Sequence, residues 1–206
     1  RRKRKTINSI KFEINELYNL YVLYNDLVKY EYVIGKSIAF ICYYPKPREI
    51  FAADFRDRIV HHLIYDRDIS YFENFAWITD TYSCRVNKGT LYGVNHIKQQ
   101  IINYSNNYEY LVFAAKCDLK SFFVYIDKDI LYKILEKFIR SVDNNRKEED
   151  IEFDLYLWKL IIYNRPQDNC IFKQSLSCWN SLELGKSLKE ISPNDNRGFA
   201  IGNLTS

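Results

Sequence analysis

The sequence predicts an α+β fold in which helices outnumber strands. Apolar residues recur at steps of three and four in several segments, which is the spacing of amphipathic helices. Two short runs rich in aromatic and β-branched residues flank a proline-containing turn and predict a β-hairpin. A further apolar run, residues 110–117, predicts a strand that ends at the carboxylate of Asp118.

The N-terminal half contains three predicted helices. Residues 6–29 predict one amphipathic helix that packs through a single apolar stripe of Ile10, Ile14, Leu17, Tyr21, Tyr24 and Val28. Asp54 is the predicted N-cap of a helix over 54–65, with Phe55, Ile59 and Leu63 on its apolar face. The third helix covers 90–104, and we expect it to be buried through Val94, Ile97 and Ile101.

The hairpin lies between the first two helices. Residues 37–44 form its first strand, and residues 49–53 return as the second. Residues 45–48 form the turn, because both prolines bias their neighbours towards extended geometry. Lys46 and Arg48 give this hairpin a basic tip, whose simplest interpretation is a solvated turn.

The C-terminal half alternates between helices and loops. Asp127 caps a predicted helix that contains Ile130, Leu131, Ile134, Leu135 and Phe138. Residues 141–150 predict a charged loop, and Ile151, Leu155, Trp158 and Ile162 predict another helix. Residues 164–193 show no regular pattern. The final ten residues predict a glycine-containing turn followed by the start of a helix.

Composition limits the classes of protein. The first five residues are all basic. The rest of the chain contains 25 Lys and Arg residues and 26 Asp and Glu residues, so it is nearly neutral. That arm can contact nucleic-acid phosphate or remain a solvated terminus. No apolar run is long enough for a membrane span, and no signal peptide is expected. The five cysteines lack zinc or disulfide spacing, which predicts reduced, mostly buried thiols in a cytoplasmic protein.

The segment around Asp118 carries the strongest chemical signal. A predicted strand delivers this carboxylate to its end, and Phe122 and Phe123 follow at once. Polymerases use such an arrangement, because a rigid strand can hold a carboxylate oxygen on a divalent metal while a nearby ring faces the incoming sugar. The alternative is a carboxylate that caps the next turn.

Four segments in order resemble the conserved blocks of bacterial reverse transcriptases. PKPREIFAADFRDRIVHHLIY resembles the first block, TYSCRVNKGTLYGVNHI the second, CDLKSFFVYIDKDIL the third, and GFAIGNLTS the start of the fourth. The resemblance covers residues 37–206. It implies the fingers and the beginning of the palm of a right-hand polymerase, with a short palm sheet: 1–108 as N-terminal helix and fingers, 109–140 as first palm segment, and 141–206 as second fingers segment.

The resemblance also implies roles for individual residues. Asp118 is the expected catalytic carboxylate and metal ligand, with the Leu119 carbonyl completing its contribution to a two-magnesium site. Phe123 occupies the place of the ring that excludes a ribose 2′-hydroxyl. The other expected contacts to the incoming deoxynucleotide are Lys46, Arg48, Phe122, Ile201 and Gly202. Arg85 and Lys88 are the expected template-backbone contacts, with an ordinary solvated loop as the alternative.

Residues outside those blocks are expected to be structural. Arg56 and Arg58 lie beside Asp57, which favours local ion pairing. His61 and His62 are expected to be packing or surface residues. The Tyr-x-Asp-Asp turn that supplies the remaining carboxylates of the family is absent from these 206 residues, so we expect the chain to be inactive by itself.

Ile201 suggests a subfamily. Group II intron and retron enzymes usually carry Gln at this position, and the aliphatic residue is similar to the enzymes of diversity-generating retroelements, whose copying is error-prone at template adenines. That resemblance implies a template RNA, a primer and its cDNA, deoxynucleotides and a small basic accessory protein as partners. Three alternatives remain: a group II intron or retron enzyme, a polymerase-like phage-defence or RNA-binding protein, and a helical interaction domain whose motifs arose by chance.

Overall fold

The computed structural model describes residues 6–142 and 145–204, which fold as an α+β chain in two compact units. The first unit comprises Arg1–Asp68 and Ser121–Ser206, and the second comprises Ile69–Lys120. These bounds differ from the predicted division at 108 and 140, and the assignment to fingers and palm stays a prediction.

Helices dominate the described residues. The α-helices are α1 (Ile7–Ile14), α2 (Glu16–Val28), α3 (Phe55–Tyr71), α4 (Thr90–Tyr104), α5 (Phe122–Tyr125), α6 (Lys128–Val142) and α7 (Glu148–Tyr163). A π-helical turn (Phe72–Ala76) follows α3, and two 3₁₀ turns (Leu176–Ser181 and Leu188–Glu190) lie near the C-terminus. The strands are β1 (Ser37–Cys42), β2 (Arg48–Ala52) and β3 (Cys170–Phe172).

The predicted hairpin is confirmed. β1 and β2 pair antiparallel with Phe40 opposite Ile50, and the peptide bond before Pro45 is cis. β3 adds to the other side of β1 in parallel, which gives the sheet order β2-β1-β3. The side-chain amide of Gln174 then extends this pairing, because it accepts from the Ile41 N–H at 2.7 Å and donates to the Ile41 carbonyl at 3.3 Å.

Two apolar clusters hold the first unit together. One joins α2, α3 and α7 through Leu23, Leu27, Tyr32, Val60, Ile64, Leu157 and Ile161. The other lies under the hairpin and joins Ala39 and Phe51 to Val124 of α5 and Leu188 of the second 3₁₀ turn. The second cluster therefore ties the strands of the hairpin to segments more than 70 residues away in sequence.

The N-terminal helix differs from its prediction in two ways. It is broken at Asn15 into α1 and α2, and the Asn19 side chain donates to the freed Phe12 carbonyl at 2.8 Å. The predicted apolar stripe faces solvent, and α2 is instead buried through Leu23 and Leu27. On α2 the stripe and the buried pair lie on different faces. Periodicity alone favours the stripe, because the stripe has more apolar members.

Helix α3 begins after Asp54 as predicted, and the Asp54 carboxylate accepts from the Arg56 N–H at 3.0 Å. Its most buried positions include three polar residues, Asp57, His61 and Asp68, whereas the predicted Ile59 and Leu63 are only partly buried. Asp57 accepts from the Tyr32 hydroxyl and from the Gly35 N–H, and its burial raises the pKa of its carboxyl. These partners explain the buried polar face, because a buried carboxylate requires donors.

The second unit overturns two expectations. Helix α4 has the predicted bounds, but Val94 and Ile97 are exposed; its buried residue is Gly93, which packs against the Tyr82 ring. Residues 111–119 form no β-strand, and Leu111 and Phe113 are about nine-tenths exposed. A strand needs a hydrogen-bonded neighbour, and none of the strands in the described residues pairs with this segment.

Two further observations concern cysteines and membranes. All five cysteines are free thiols, but three are exposed and two are half-buried, so the expectation of mostly buried thiols is wrong. Among residues 6–142 and 145–204, no helix has both the length and the apolar character needed to cross a membrane.

Candidate functional site

The fourth block folds against the base of the hairpin. The Asn203 side-chain oxygen accepts from the Ala53 N–H at 3.1 Å. Gly202 has φ +113°, and a Cβ at this position would lie 3.0 Å from Ile50 Cγ2. Arg48 lies two residues before Ile50 on β2, so strand alternation places both on one face of the sheet. Arg48, the predicted triphosphate-binding residue, therefore lies on the same face of the sheet as Ile50, the neighbour of Gly202.

The same block also pairs with the turn that carries Phe123. The Phe199 N–H donates to the Phe123 carbonyl at 2.7 Å, and the Gly198 N–H donates to the Ile126 carbonyl at 2.9 Å. An isolated antiparallel bridge between Asp127 and Arg197 continues this pairing. The hairpin, the Phe122–Phe123 turn and the fourth block therefore meet in the first unit, although sequence separates them by as many as 150 residues.

A buried carboxylate on β2 fixes the hairpin to the segment before the fourth block. Glu49 is 6% exposed and accepts three hydrogen bonds. Its Oε1 accepts from Trp179 Nε1 at 2.6 Å and from Ser187 Oγ at 2.9 Å, and its Oε2 accepts from the Leu188 N–H at 2.7 Å. Strand alternation explains its inward orientation, since Glu49 and Phe51 are the buried positions of β2.

A buried histidine lies beside the fourth block. His61 of α3 lines a cavity of about 20 Å³ together with Phe199, Ala200 and Asn203. Burial, together with smaller contributions from the neighbouring His62 and Arg58, lowers the pKa of His61 to about 4. The imidazole is therefore neutral at physiological pH, in agreement with the expected packing role.

The predicted cations differ in their surroundings. Lys46 lies in the exposed turn of the hairpin and Arg48 is the exposed first residue of β2, and among the described residues neither side chain forms a hydrogen bond or ion pair. Arg85, in contrast, has only 8% of its side chain exposed, and its Nε and Nη2 donate to Glu73 Oε2 at 2.9 and 2.6 Å. Its Nη1 donates to the Ile78 carbonyl at 2.9 Å, and the guanidinium lies over the Trp77 ring.

Lys88 is also engaged inside the second unit. Its Nζ donates to the Thr79 carbonyl at 2.5 Å and lies 5.9 Å from the centres of the Tyr82 and Tyr92 rings. These contacts favour a structural role for Arg85 and Lys88 in shaping the loop before α4. Their contact with a template backbone stays a prediction.

Asp118 and Leu119 lie in the irregular, exposed segment of the second unit, so the strand expected to hold them is not formed. Phe122 and Phe123 begin α5 in the first unit, with ring centroids 5.4 Å apart. Among the described residues, no group of three or more His, Cys, Asp or Glu side chains could hold a metal ion. Mg²⁺ is commonly held by one or two carboxylates together with substrate phosphates. Asp118 is an exposed carboxylate of that chemical type, and its role as a metal ligand stays a prediction.

Several residues that build this region carry little signal in the sequence. Asn203 and the Gly198–Phe199 backbone act through single hydrogen bonds, which have no sequence signature. The sequence predicts Glu49 only as the start of a strand, because charged residues on strands usually face water. The signal that could have found its buried position is strand alternation, which puts Glu49 on the same face as Phe51, two residues further on.

The chain was compared with protein-family models and with curated proteins. No protein-family model matches the chain. No curated protein matches it significantly either.

Proposed function

We propose that the chain is the fingers and the beginning of the palm of a reverse transcriptase, an RNA-directed DNA polymerase. The observation that carries the proposal is the meeting of three motifs in the first unit: the basic hairpin, the Phe122–Phe123 turn and the fourth block. In a polymerase these three motifs surround one incoming nucleotide. A domain whose motifs arose by chance has no reason to bring them together.

Each group then has a defined task. The guanidinium of Arg48 and the amine of Lys46 bind triphosphate oxygens, for which exposed cations without internal partners are suited. The Phe123 ring contacts the sugar and excludes a 2′-hydroxyl, while Ile201 and Gly202 contact the nascent base pair. Asp118 and the Leu119 carbonyl would hold magnesium, which when bound would supply the positive charge that favours ionisation of the primer 3′-hydroxyl and stabilises the leaving pyrophosphate.

Primer extension on an RNA template tests the proposal. The assay uses the chain continued through a Tyr-x-Asp-Asp turn, with Asp118→Asn as the test variant and Asp66→Asn, an exposed carboxylate on α3, as the control. We expect Asp118→Asn to lower the extension rate by roughly 1,000-fold or more and Asp66→Asn to leave it unchanged. Equal activity of both variants would refute the metal-binding role. The 206-residue chain alone is expected to extend no primer.

A polymerase-like RNA-binding protein without copying activity is the second candidate. The irregular, exposed segment that carries Asp118 favours it, because catalysis needs a carboxylate held in a fixed position. The two candidates differ in one outcome. The second predicts RNA binding by the continued chain with no extension of any primer, with or without Asp118.

Within the first candidate, Ile201 supports an enzyme of a diversity-generating retroelement. An aliphatic side chain at this position removes a hydrogen-bonding group from the base-pair checkpoint. We therefore expect Ile201→Gln to lower misincorporation opposite template adenine in the continued enzyme, as measured by sequencing its cDNA. An unchanged error spectrum would favour the group II intron or retron alternative, or a fidelity mechanism located elsewhere. Template RNA and a small basic accessory protein are the partners this assignment implies.

A further inference from the structure

The outer face of the two N-terminal helices carries a regular apolar seam. We define the α1–α2 seam as Ile7, Ile10, Ile14, Leu17, Tyr21, Tyr24 and Val28, whose exposed fractions run from 47% to 86%. The steps between successive members alternate between three and four over the whole length. This is the a and d spacing of a heptad repeat in the sequence. Asn15, with φ −124° and ψ 47°, interrupts the helix, so α1 carries the first three members of the seam and α2 the last four.

The seam is separate from the face that anchors α2 to the protein. Leu23 and Leu27 of α2 are 3% and 6% exposed and belong to the cluster shared with α3 and α7. The helix therefore has two apolar faces, and only one is covered by the described residues. A solvent-facing a and d seam is typical of a helix that pairs with another helix.

We propose that the α1–α2 seam binds the same seam of a second copy of this chain. The size of the surface fits this occupant. With Tyr18 and Leu20 at its edge, the seam exposes nine apolar side chains. At roughly 200 Å² per residue and the observed exposed fractions, they present about 1,100 Å², compared with roughly 800 Å² buried per partner in a standard interface.

Helix dipoles favour an antiparallel pair. An antiparallel arrangement places the N-terminal end of one seam, at Ile7 of α1, beside the C-terminal end of the other, at Val28 of α2, so that opposite helix-dipole ends attract. A parallel arrangement places like dipole ends together. The pairing is isologous: the apolar side chains of the α1–α2 seam in one copy pack against the same side chains in the other.

Sedimentation velocity of the 206-residue chain at micromolar concentrations tests the proposal. We expect a reversible dimer. The variant Leu17→Lys/Tyr24→Lys should weaken the dimer by roughly 100-fold or more, because it places like charges in the apolar centre of the contact. Leu184→Lys, at a position 89% exposed outside the seam, is the matched control and should dimerise like the original chain. A monomeric original chain would overturn the proposal, since the seam would then need a different occupant.

A mixing experiment separates direct contact from loss of folding. Leu17→Glu/Tyr24→Glu should also be monomeric, and an equimolar mixture with Leu17→Lys/Tyr24→Lys should form a heterodimer, because unlike charges then meet across the seam. Both variants alter exposed positions and should retain the circular dichroism of the original chain. A dimer that survives in both double variants, or a mixture that stays monomeric, would contradict seam pairing. None of these outcomes depends on polymerase activity.

Discussion

Removing the charge of Glu49 should loosen the hairpin from the segment before the fourth block. In Glu49→Gln, one carboxylate oxygen becomes an NH₂ group. If that group replaces Oε2, it faces the Leu188 N–H; if it replaces Oε1, it faces the Trp179 indole N–H. In either orientation one buried donor loses its acceptor and meets another donor.

The size of the effect follows from this exchange. A buried hydrogen bond to a charged group contributes about 1.5–3 kcal/mol, and leaving its partner unsatisfied is costly. We therefore expect Glu49→Gln to lower the free energy of unfolding by about 2 kcal/mol. The control is Glu183→Gln, an exposed carboxylate for which a change within about 0.5 kcal/mol is expected.

Urea denaturation followed by tryptophan fluorescence measures this difference, because Trp179 itself is one of the donors. The midpoint should fall in Glu49→Gln with little change in the slope of the transition. Equal midpoints for Glu49→Gln and Glu183→Gln would show that the three hydrogen bonds do not hold the hairpin in place.

Three other predictions follow from buried or strained residues. Lys128 is 1% exposed with its Nζ on the Asn164 carbonyl at 2.7 Å, and burial lowers its pKa to about 8. The unfolded chain therefore binds more protons between about pH 8 and 10.5, so stability should rise with pH in that window by about 2 kcal/mol. Lys128→Met should lose this rise and exposed Lys159→Met should keep it in denaturation at several pH values; parallel pH profiles would contradict the assignment. Arg85→Gln should destabilise the second unit by about 3 kcal/mol, because it removes one partner of a largely buried ion pair, whereas Arg48→Gln should change stability by less than about 0.5 kcal/mol. If hydrogen exchange shows no loss of protection around Glu73 in Arg85→Gln while RNA binding falls, Arg85 is a template contact after all. Gly202→Ala should cost about 1–3 kcal/mol, since φ is +113° and the new Cβ meets Ile50, and Ile50→Ala in the same chain should recover part of the loss; strictly additive effects would argue against that contact.

Local signals in the sequence predicted much of the fold. The bounds of α4, the Asp127 cap of α6 and the hairpin around Pro45 and Pro47 follow from caps, periodicity and proline, which act over a few residues. The Asp127 carboxylate, for example, accepts from the Ile130 N–H at 2.9 Å, as a cap should.

Features that depend on tertiary partners could not be predicted. The choice of buried face on α2, and the polar residues buried on α3, are fixed by side chains distant in sequence, such as Tyr32 for Asp57 and Trp158 for Asp68. The segment 111–119 has the composition of a strand, but no strand of the described residues pairs with it. Within the candidate site, the motifs were visible in the sequence, whereas the hydrogen bonds that join them were not.

Discrimination between deoxynucleotides and ribonucleotides is the sharpest test of the proposed polymerase site. We propose that Phe123, whose carbonyl accepts from the Phe199 N–H, forms the wall against the sugar of the incoming nucleotide. In the chain continued through a Tyr-x-Asp-Asp turn, Phe123→Ala should raise the relative kcat/KM for ribonucleotides by roughly 100-fold or more, because the ring no longer excludes the 2′-hydroxyl. Phe122→Ala, the adjacent exposed ring, should leave that ratio near its original value. An unchanged ratio in Phe123→Ala, or an equal change in both variants, would contradict the account.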